Sequence, residues 1–250
     1  MAEPVLQLDN VCKNFGGLRV TDHVTLNILP GEMHALIGPN GAGKTTLINQ
    51  ISGLLTPDGG RIHFAGHNIT EAPPSARANL GLARSFQITS VLPSFTALEN
   101  VSLAVQARSG SSYRFFGNAA SEPALIQPAM AALAEVGLAE RAHVAAAHLS
   151  HGEKRALELA MALAMQPKLL LLDEPMAGTG PEETDKLVAV LKRLKGRFPM
   201  LLVEHDMHAV FALADNISVL IYGRILASGA PDAVRNDPQV VAAYLGDEME

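Results

Sequence analysis

Residues 38–46 have the sequence GPNGAGKTT, which is the strongest indication of the fold in this chain. It fits the pattern G-x-x-x-x-G-K-[ST]. A strand pattern, MHALI at 33–37, comes directly before it, and a helical pattern, KTTLINQIS at 44–52, follows. This order aims backbone N–H groups and the positive end of a helix at one point, which is how proteins hold phosphate groups. The stretch therefore predicts a phosphate-binding loop between a strand and a helix.

The side chains of this loop suit phosphate groups and their metal ion. Lys44 would neutralise the β- and γ-phosphates, and the Thr45 hydroxyl would bind Mg²⁺. The loop residues predicted to bind the nucleotide are Gly38, Pro39, Asn40, Gly41, Ala42, Gly43, Lys44, Thr45 and Thr46.

A second stretch, LLLLDEP at 169–175, gives the loop its catalytic partners. Four consecutive leucines are typical of a strand buried on both faces of a parallel sheet. Asp173 then emerges at the carboxyl end of the strand, where ligands bind in open α/β sheets. We expect Asp173 to hold Mg²⁺ through water. We expect Glu174, one residue further, to accept the proton of the attacking water as a general base.

Composition narrows the class of protein. The chain has 250 residues, is 48% hydrophobic and 18% charged, and carries a net charge of −6. No apolar run reaches the roughly 18 residues that a membrane span needs, and the N-terminus lacks the basic region of a signal peptide. The acidic balance argues against nucleic-acid binding. A single cysteine, Cys12, favours the cytosol.

Strand and helix patterns alternate near both ends of the chain, which predicts a parallel sheet covered by helices. The middle, 90–155, is mostly helical and predicts an inserted subdomain within a single 1–250 domain, whose core is 1–89 and 156–250. The predicted strands are 5–11, 23–28, 33–38, 60–66, 169–173, 200–204 and a hairpin at 217–229. The predicted helices are 44–52, 96–142 with a loop at 109–118, 150–165, 182–195 and a short one from Asp237.

With these pieces together the chain resembles the ATP-binding subunit of ATP-binding cassette (ABC) transporters. The resemblance covers nearly the whole chain and rests on ordered motifs: GPNGAGKTT, SFQ, LSHGE, LLLLDEP and VEHD. It implies an α/β fold, namely a P-loop NTPase core with a parallel sheet, an N-terminal antiparallel β part and an inserted α-helical subdomain. It also implies an ATP hydrolase that uses ATP and Mg²⁺.

The resemblance assigns LSHGE (149–153) as the signature loop, which caps the γ-phosphate of ATP held by the other subunit of a dimer. Ser150 would supply a hydroxyl, Gly152 would let the backbone approach closely, and the following helix would add its dipole. The simpler interpretation, that Ser150 caps the helix from 151, is compatible with this role.

Three further roles rest on the resemblance alone. Phe15 matches the aromatic residue that stacks on adenine, although a lone Phe near a turn is usually in a core. Gln87 matches the residue that contacts Mg²⁺ and the attacking water, although a lone Gln is normally a surface residue. His205 matches the switch histidine at the γ-phosphate, although a lone His is more often structural.

Two residues depart from the family pattern. Glu153 stands where many relatives carry Gln, and an acid near phosphates is unfavourable unless it points away or caps its own helix. Gly180 stands where many relatives carry Asp or Asn, which puts in doubt the contact that this loop usually makes across the dimer.

Within the family, FGGLRV, ARSFQ, LENV, EHDM and VVAAYLG resemble branched-chain amino acid importer ATPases. The resemblance implies uptake of branched-chain or other hydrophobic amino acids through integral membrane permease subunits. It also implies a second ABC ATPase, identical or related, an extracytoplasmic binding protein that acts indirectly, and a peripheral position on the cytoplasmic face of the membrane. The alternatives are a urea or amide importer ATPase, an exporter ATPase, a soluble ABC ATPase without a transporter, and a catalytically silent nucleotide-binding module.

Overall fold

A computed structural model describes residues 2–85, 91–109 and 122–245. Apart from Ser109, the predicted loop at 109–118 lies outside these residues. The elements, in chain order, are β1 (Leu6–Phe15), β2 (Leu18–Ile28), β3 (Met33–Ile37), α1 (Lys44–Ser52), β4 (Gly59–Phe64), β5 (His67–Asn68), α2 (Pro74–Asn79), β6 (Leu82–Ser85), α3 (Ala97–Ser109), α4 (Pro123–Glu135), α5 (His151–Ala164), β7 (Leu169–Asp173), α6 (Pro181–Leu194), β8 (Met200–Val203), α7 (Met207–Leu213), β9 (Asn216–Ile221), β10 (Arg224–Gly229), α8 (Pro231–Arg235) and α9 (Pro238–Val240).

The chain divides into two compact units. The first contains Met1–Leu82, Lys168–Glu174 and Leu194–Glu250, and the second contains Ala83–Pro167 and Pro175–Arg193. The second unit is larger than the predicted 90–155 subdomain. It includes all of α5 and nearly all of α6.

The first unit begins with an antiparallel sheet in the order β2-β1-β4-β5. Strands β1 and β2 form a hairpin that turns at Gly16, where φ is 59°. Both strands are longer than predicted, since their pairing continues through bulges up to the pair Phe15 and Leu18. The hairpin ends are exposed and lack the apolar alternation by which the inner parts were predicted.

A mainly parallel sheet follows in the same unit, with the order β10-β9-β3-β8-β7. Strand β7 is buried at every residue, as its leucine run predicted, and so are β3 and β8. Successive residues of β3 face opposite sides of the sheet, as in any strand. Leu36 accordingly belongs to one hydrophobic cluster, and Ala35 and Ile37 belong to another. The predicted hairpin is confirmed, with β10 antiparallel to β9.

The second unit is built on α3, α4 and α5, which pack against one another. Each of these helices carries buried apolar residues, among them Val101, Val105, Leu133 and Leu157. Helix α6 joins this unit because Arg193 Nη2 donates to the Glu135 carbonyl at 3.1 Å, and because its first turn contacts the start of α5.

Two of the predicted helix ends are confirmed, and one is corrected. The predicted helix to residue 142 ends at Glu135, because Gly137 adopts a φ of 78°. Glycine ends α1 as predicted, with Gly53 at φ 83°. Asp237 caps α9 ahead of Pro238, also as predicted.

Among the residues described, no helix is both long enough and apolar enough to cross a membrane.

Candidate functional site

The phosphate-binding loop joins β3 to α1 in the first unit, as its sequence predicted. Gly43 occupies the N-cap of α1 with a φ of 106°, a conformation that favours glycine. A side chain on Gly43 would begin 2.5 Å from the Val20 carbonyl oxygen, and one on Gly38 would begin 2.0 Å from the Leu220 carbonyl oxygen. These two glycines are therefore required by the packing of β2 and β9 against the loop.

Lys44 lies inside the loop. The residue is 8% exposed, and its Nζ donates to the Gly38 and Pro39 carbonyls, the second at 3.1 Å. The charge is thus positioned within the loop next to the start of α1. Thr45 is exposed and Thr46 is half-buried.

The opposite end of α1 is fixed by a buried cation that sequence analysis did not find. Arg77, 1% exposed, donates through Nη1 to the carbonyls of Gln50 and Ile51, both at 2.7 Å. Its other nitrogens donate to the carbonyls of Thr70 and Ala72. Burial lowers the pKa of Arg77 to about 10, so the guanidinium stays charged at neutral pH. A cation here complements the negative end of the helix whose positive end faces the phosphate loop.

The order of the parallel strands brings three predicted segments to one edge of the sheet. Strand β8 lies between β3 and β7, and Val203 pairs with Leu36 on one side and with Asp173 on the other. Since neighbouring strands are about 4.8 Å apart, Leu36 and Asp173 are separated by roughly 10 Å of sheet. The phosphate loop, the two acids and His205 therefore follow three adjacent strand ends.

Asp173 is the last residue of β7 and is 2% exposed. Glu174 follows at a bend with a φ of 48°, and its N–H donates to the Val203 carbonyl at 2.8 Å. A positive φ at glutamate is unfavourable and is retained only where the surroundings fix it. It is not diagnostic of catalysis, since turn residues such as Ala65 and Tyr222 share it.

His205 follows β8 and is largely exposed, beside a buried acid that sequence analysis did not single out. Glu204 is fully buried, and its Oε2 lies 3.7 Å from His205 Nδ1 and accepts from the His205 N–H at 3.1 Å. The VEHD motif placed this acid next to the histidine, but its burial was not predicted. Asp206 then caps α7 by accepting from the Ala209 N–H.

Phe15 lies at the turn of the β1–β2 hairpin, with its residue surface 48% exposed. It is not a core residue, which was the simpler interpretation. Lys13 Nζ lies 5.9 Å from the Phe15 ring centroid and is held by Asp58 at 2.7 Å. Gln87 lies outside the described residues.

The LSHGE segment forms the start of α5 in the second unit. Ser150 is the N-cap, with its Oγ accepting from the Glu153 N–H at 3.1 Å, while Glu153 Oε2 accepts from the Ser150 N–H at 2.8 Å. Glu153 Oε1 also lies 3.0 Å from Arg141 Nε. The Glu153 carboxylate is therefore engaged at its own helix start, as was expected of an acid at this position, although a Gln could form the same capping box.

The first turn of α6 packs over this helix start. Ser150 Oγ donates to Glu183 Oε1 at 3.1 Å. Gly180 precedes α6, and its carbonyl accepts from the Thr184 N–H at 2.9 Å, a main-chain bond that any residue at this position could make. Glu183 was not predicted, and the only local signal was its position as a first-turn acid of α6.

Comparison with protein families identifies the domain. A family model described as ABC transporter matches residues 21–177, and one described as branched-chain amino acid ATP-binding cassette transporter matches residues 224–250.

Relatives match along the whole chain. The high-affinity branched-chain amino acid transport ATP-binding protein LivG of Escherichia coli (strain K12) is 37% identical over 256 residues, which cover 99% of this chain and 100% of LivG. BraF of Pseudomonas aeruginosa, which carries the same description, is 37% identical over 254 residues with the same coverage. The probable LivG of Archaeoglobus fulgidus is 35% identical, covering 97% of this chain and 95% of its own.

Solved structures of ATP-binding cassettes have a similar fold. The ADP conformation of MJ1267, an ATP-binding cassette of an ABC transporter, has a TM-score of 0.85 and 29% identity, covering 98% of this chain and 100% of its own. A dimeric post-hydrolysis cassette, MJ0796 bound to ADP and Pi, has a TM-score of 0.75 and 26% identity, covering 90% of this chain and 98% of its own. These comparisons confirm the fold class that the motifs predicted.

Proposed function

This chain belongs to the ABC transporter family and is an ABC-type ATP hydrolase, and we propose that it powers an importer of branched-chain or other hydrophobic amino acids. The observation that carries the proposal is the end-to-end similarity to branched-chain amino acid transport ATP-binding proteins, together with the separate match of residues 224–250 to the branched-chain family.

The phosphates of ATP would lie in the loop at 38–46, against the N-terminus of α1. Lys44 would exchange its bonds to the Gly38 and Pro39 carbonyls for bonds to the β- and γ-phosphate oxygens. The exposed ring of Phe15 is available to stack on adenine.

The acids at the end of β7 would divide the catalytic work. The oxygen donors of Thr45 and Asp173 suit a hard divalent cation, and they would hold Mg²⁺, Asp173 through water. When bound, Mg²⁺ neutralises phosphate charge. Glu174 would take the proton of the water that attacks the γ-phosphorus, and His205 would contact the γ-phosphate. We keep Gln87 as a proposed contact of the metal and the water.

Two ATPase subunits would enclose the nucleotides. Ser150 and Gly152 of one subunit would face the γ-phosphate of ATP held by the other, because a hydroxyl and free N–H groups at a helix start attract anions. The dimeric cassette among the similar structures supports this arrangement.

The permease partner would dock on the segment before α3. Leu92 and Phe95 are exposed there, whereas their neighbour Val91 is buried. Buried Asn100 holds the segment, because its Oδ1 accepts from the Leu92 N–H at 2.8 Å and its Nδ2 donates to the Thr96 carbonyl at 2.9 Å. Two exposed apolar side chains on a pinned segment suit a helix of the membrane subunit, and they would place the ATPase on the cytoplasmic face of the membrane.

Affinity purification of the tagged chain from detergent-solubilised membranes of its own host tests the partner proposal. We expect two multi-span proteins and a related ATPase to co-purify. The double variant Leu92→Glu/Phe95→Glu should lose the membrane proteins, whereas Leu54→Glu, which changes a still more exposed leucine of the first unit, should retain them. Recovery of no membrane protein with the unchanged chain, after controls for detergent loss, would favour a soluble ABC ATPase.

The cargo is tested with the recovered complex in proteoliposomes. Leucine, isoleucine and valine, each with the extracytoplasmic binding protein, should stimulate ATP hydrolysis and accumulate inside. Stimulation by urea or short amides alone would replace the amino acid assignment and leave the ATPase assignment intact.

A further inference from the structure

The start of α5 is covered by an acidic side chain from its own unit. Glu183 Oε1 lies 3.1 Å from Ser150 Oγ. A Cβ built on Gly152 would lie 2.5 Å from Glu183 Cδ and 2.7 Å from Oε1. The carboxylate therefore stands directly against the backbone of the first turn of α5.

This position is electrostatically favourable for an anion. Helix α5 has 14 residues, and its first N–H groups lack intrahelical acceptors. The capping box uses Glu153 to satisfy the Ser150 N–H, which leaves the outer side of the first turn for another negative group. Glu183 supplies that group.

The Ser150 hydroxyl has a single proton to donate. Its oxygen already accepts from the Glu153 N–H, and its proton is directed at Glu183. A phosphate oxygen that accepted this proton would have to displace the carboxylate, because both are acceptors and both are negatively charged.

We propose that Glu183 is an internal anion that competes with the γ-phosphate of ATP for Ser150 and the start of α5. The proposal rests on the function proposed above, in which Ser150 and Gly152 contact the ATP held by the other subunit. Closure of the dimer would then require the Glu183 side chain to swing away. The contact would favour the open state and raise the ATP concentration that closure needs.

The test measures ATP-dependent dimerisation in the Glu174→Gln background, where slow hydrolysis leaves the closed dimer to accumulate. If purification recovers a related ATPase, the measurement uses that pair. Sedimentation gives the ATP concentration at half-maximal dimer. We expect Glu183→Ala to lower it by about two- to tenfold, the range of one hydrogen bond. Glu183→Gln, which keeps the acceptor but loses the charge, should fall between.

Glu182→Ala is the matched control. Glu182 is exposed, lies in the same first turn of α6 and carries the same charge, so both variants lose the same favourable helix-dipole term. It should leave the half-maximal concentration unchanged. ATP binding to the monomer should be the same in both variants, which separates competition at α5 from altered nucleotide affinity.

Two results would overturn the proposal, and they can be told apart. If Glu183→Ala behaves like Glu182→Ala, or needs more ATP, Glu183 does not compete with phosphate, although the dimer remains. If the Glu174→Gln background forms no dimer at any ATP concentration, the enclosed-nucleotide arrangement fails, and the competition fails with it.

Discussion

The phosphate loop and the start of α5 are both helix N-termini, yet they are built in different ways. Lys44 is buried, and the neighbouring strands β2 and β9 leave room only for glycine at positions 43 and 38. Ser150 is exposed, and it is held by a reciprocal cap and by a hydrogen bond to the Glu183 carboxylate. In the proposed function the first end holds the nucleotide and is fixed by the core, whereas the second faces the other subunit and is held by exchangeable surface hydrogen bonds.

The largest effect should come from the buried end. Lys44→Ala removes a charge contact to the phosphates, and we expect ATP binding to weaken by about 2–5 kcal/mol. Titration calorimetry measures this loss. Lys192→Ala, which changes an exposed lysine of α6, should bind ATP normally. Unchanged affinity in Lys44→Ala would show that the buried end does not hold the phosphates.

Glu174→Gln, at the sheet edge next to the phosphate loop, should slow ATP hydrolysis without weakening ATP binding. Loss of a general base lowers turnover by about 10²- to 10⁴-fold, while ATP affinity should persist because the loop is intact. Single-turnover hydrolysis and equilibrium binding measure the two quantities, with exposed Glu71→Gln as control. If Glu174→Gln hydrolysed ATP at the unmutated rate, the base would have to be another residue.

Arg77→Ala tests whether buried hydrogen bonds at the C-terminal end of α1 stabilise the helix that begins at the phosphate loop. Four backbone carbonyls lose their donor, and we expect the free energy of unfolding to fall by about 3 kcal/mol. Arg77→Lys keeps the charge with fewer donors and should lose less. Urea denaturation measures both variants. A change within about 0.5 kcal/mol for Arg77→Ala would mean that water replaces the guanidinium without loss.

Ser150→Ala should have the smallest effect on stability. Losing an N-cap of this kind lowers the free energy of unfolding by about 1 kcal/mol. Thermal unfolding measures this, with exposed Ser94→Ala as control. A loss as large as that of Arg77→Ala would erase the contrast between a fixed end and an exchangeable end.

The sequence predicted the phosphate loop better than the start of α5. The loop between β3 and α1, the leucine strand β7 and the acids at its end depend on local patterns, so they could be found from contiguous residues. Arg77 could not, because its acceptor Gln50 lies 27 positions away and no local pattern marks the pair. Glu183 was also missed, because its partner Ser150 lies 33 positions away. Its neighbour Glu182 is also an acid in the first turn of α6, so the local pattern does not distinguish the two.

Leu36, Val203 and Asp173 are in register across three neighbouring strands, which restricts where residues can be inserted or deleted. A residue inserted into or deleted from β3, β7 or β8 would shift one strand end by about 3.3 Å relative to the other two and invert its buried faces. Such an insertion or deletion would alter the spacing of Lys44, Glu174 and His205 without replacing any of them. We therefore expect length differences among functional variants of this chain to fall outside these three strands.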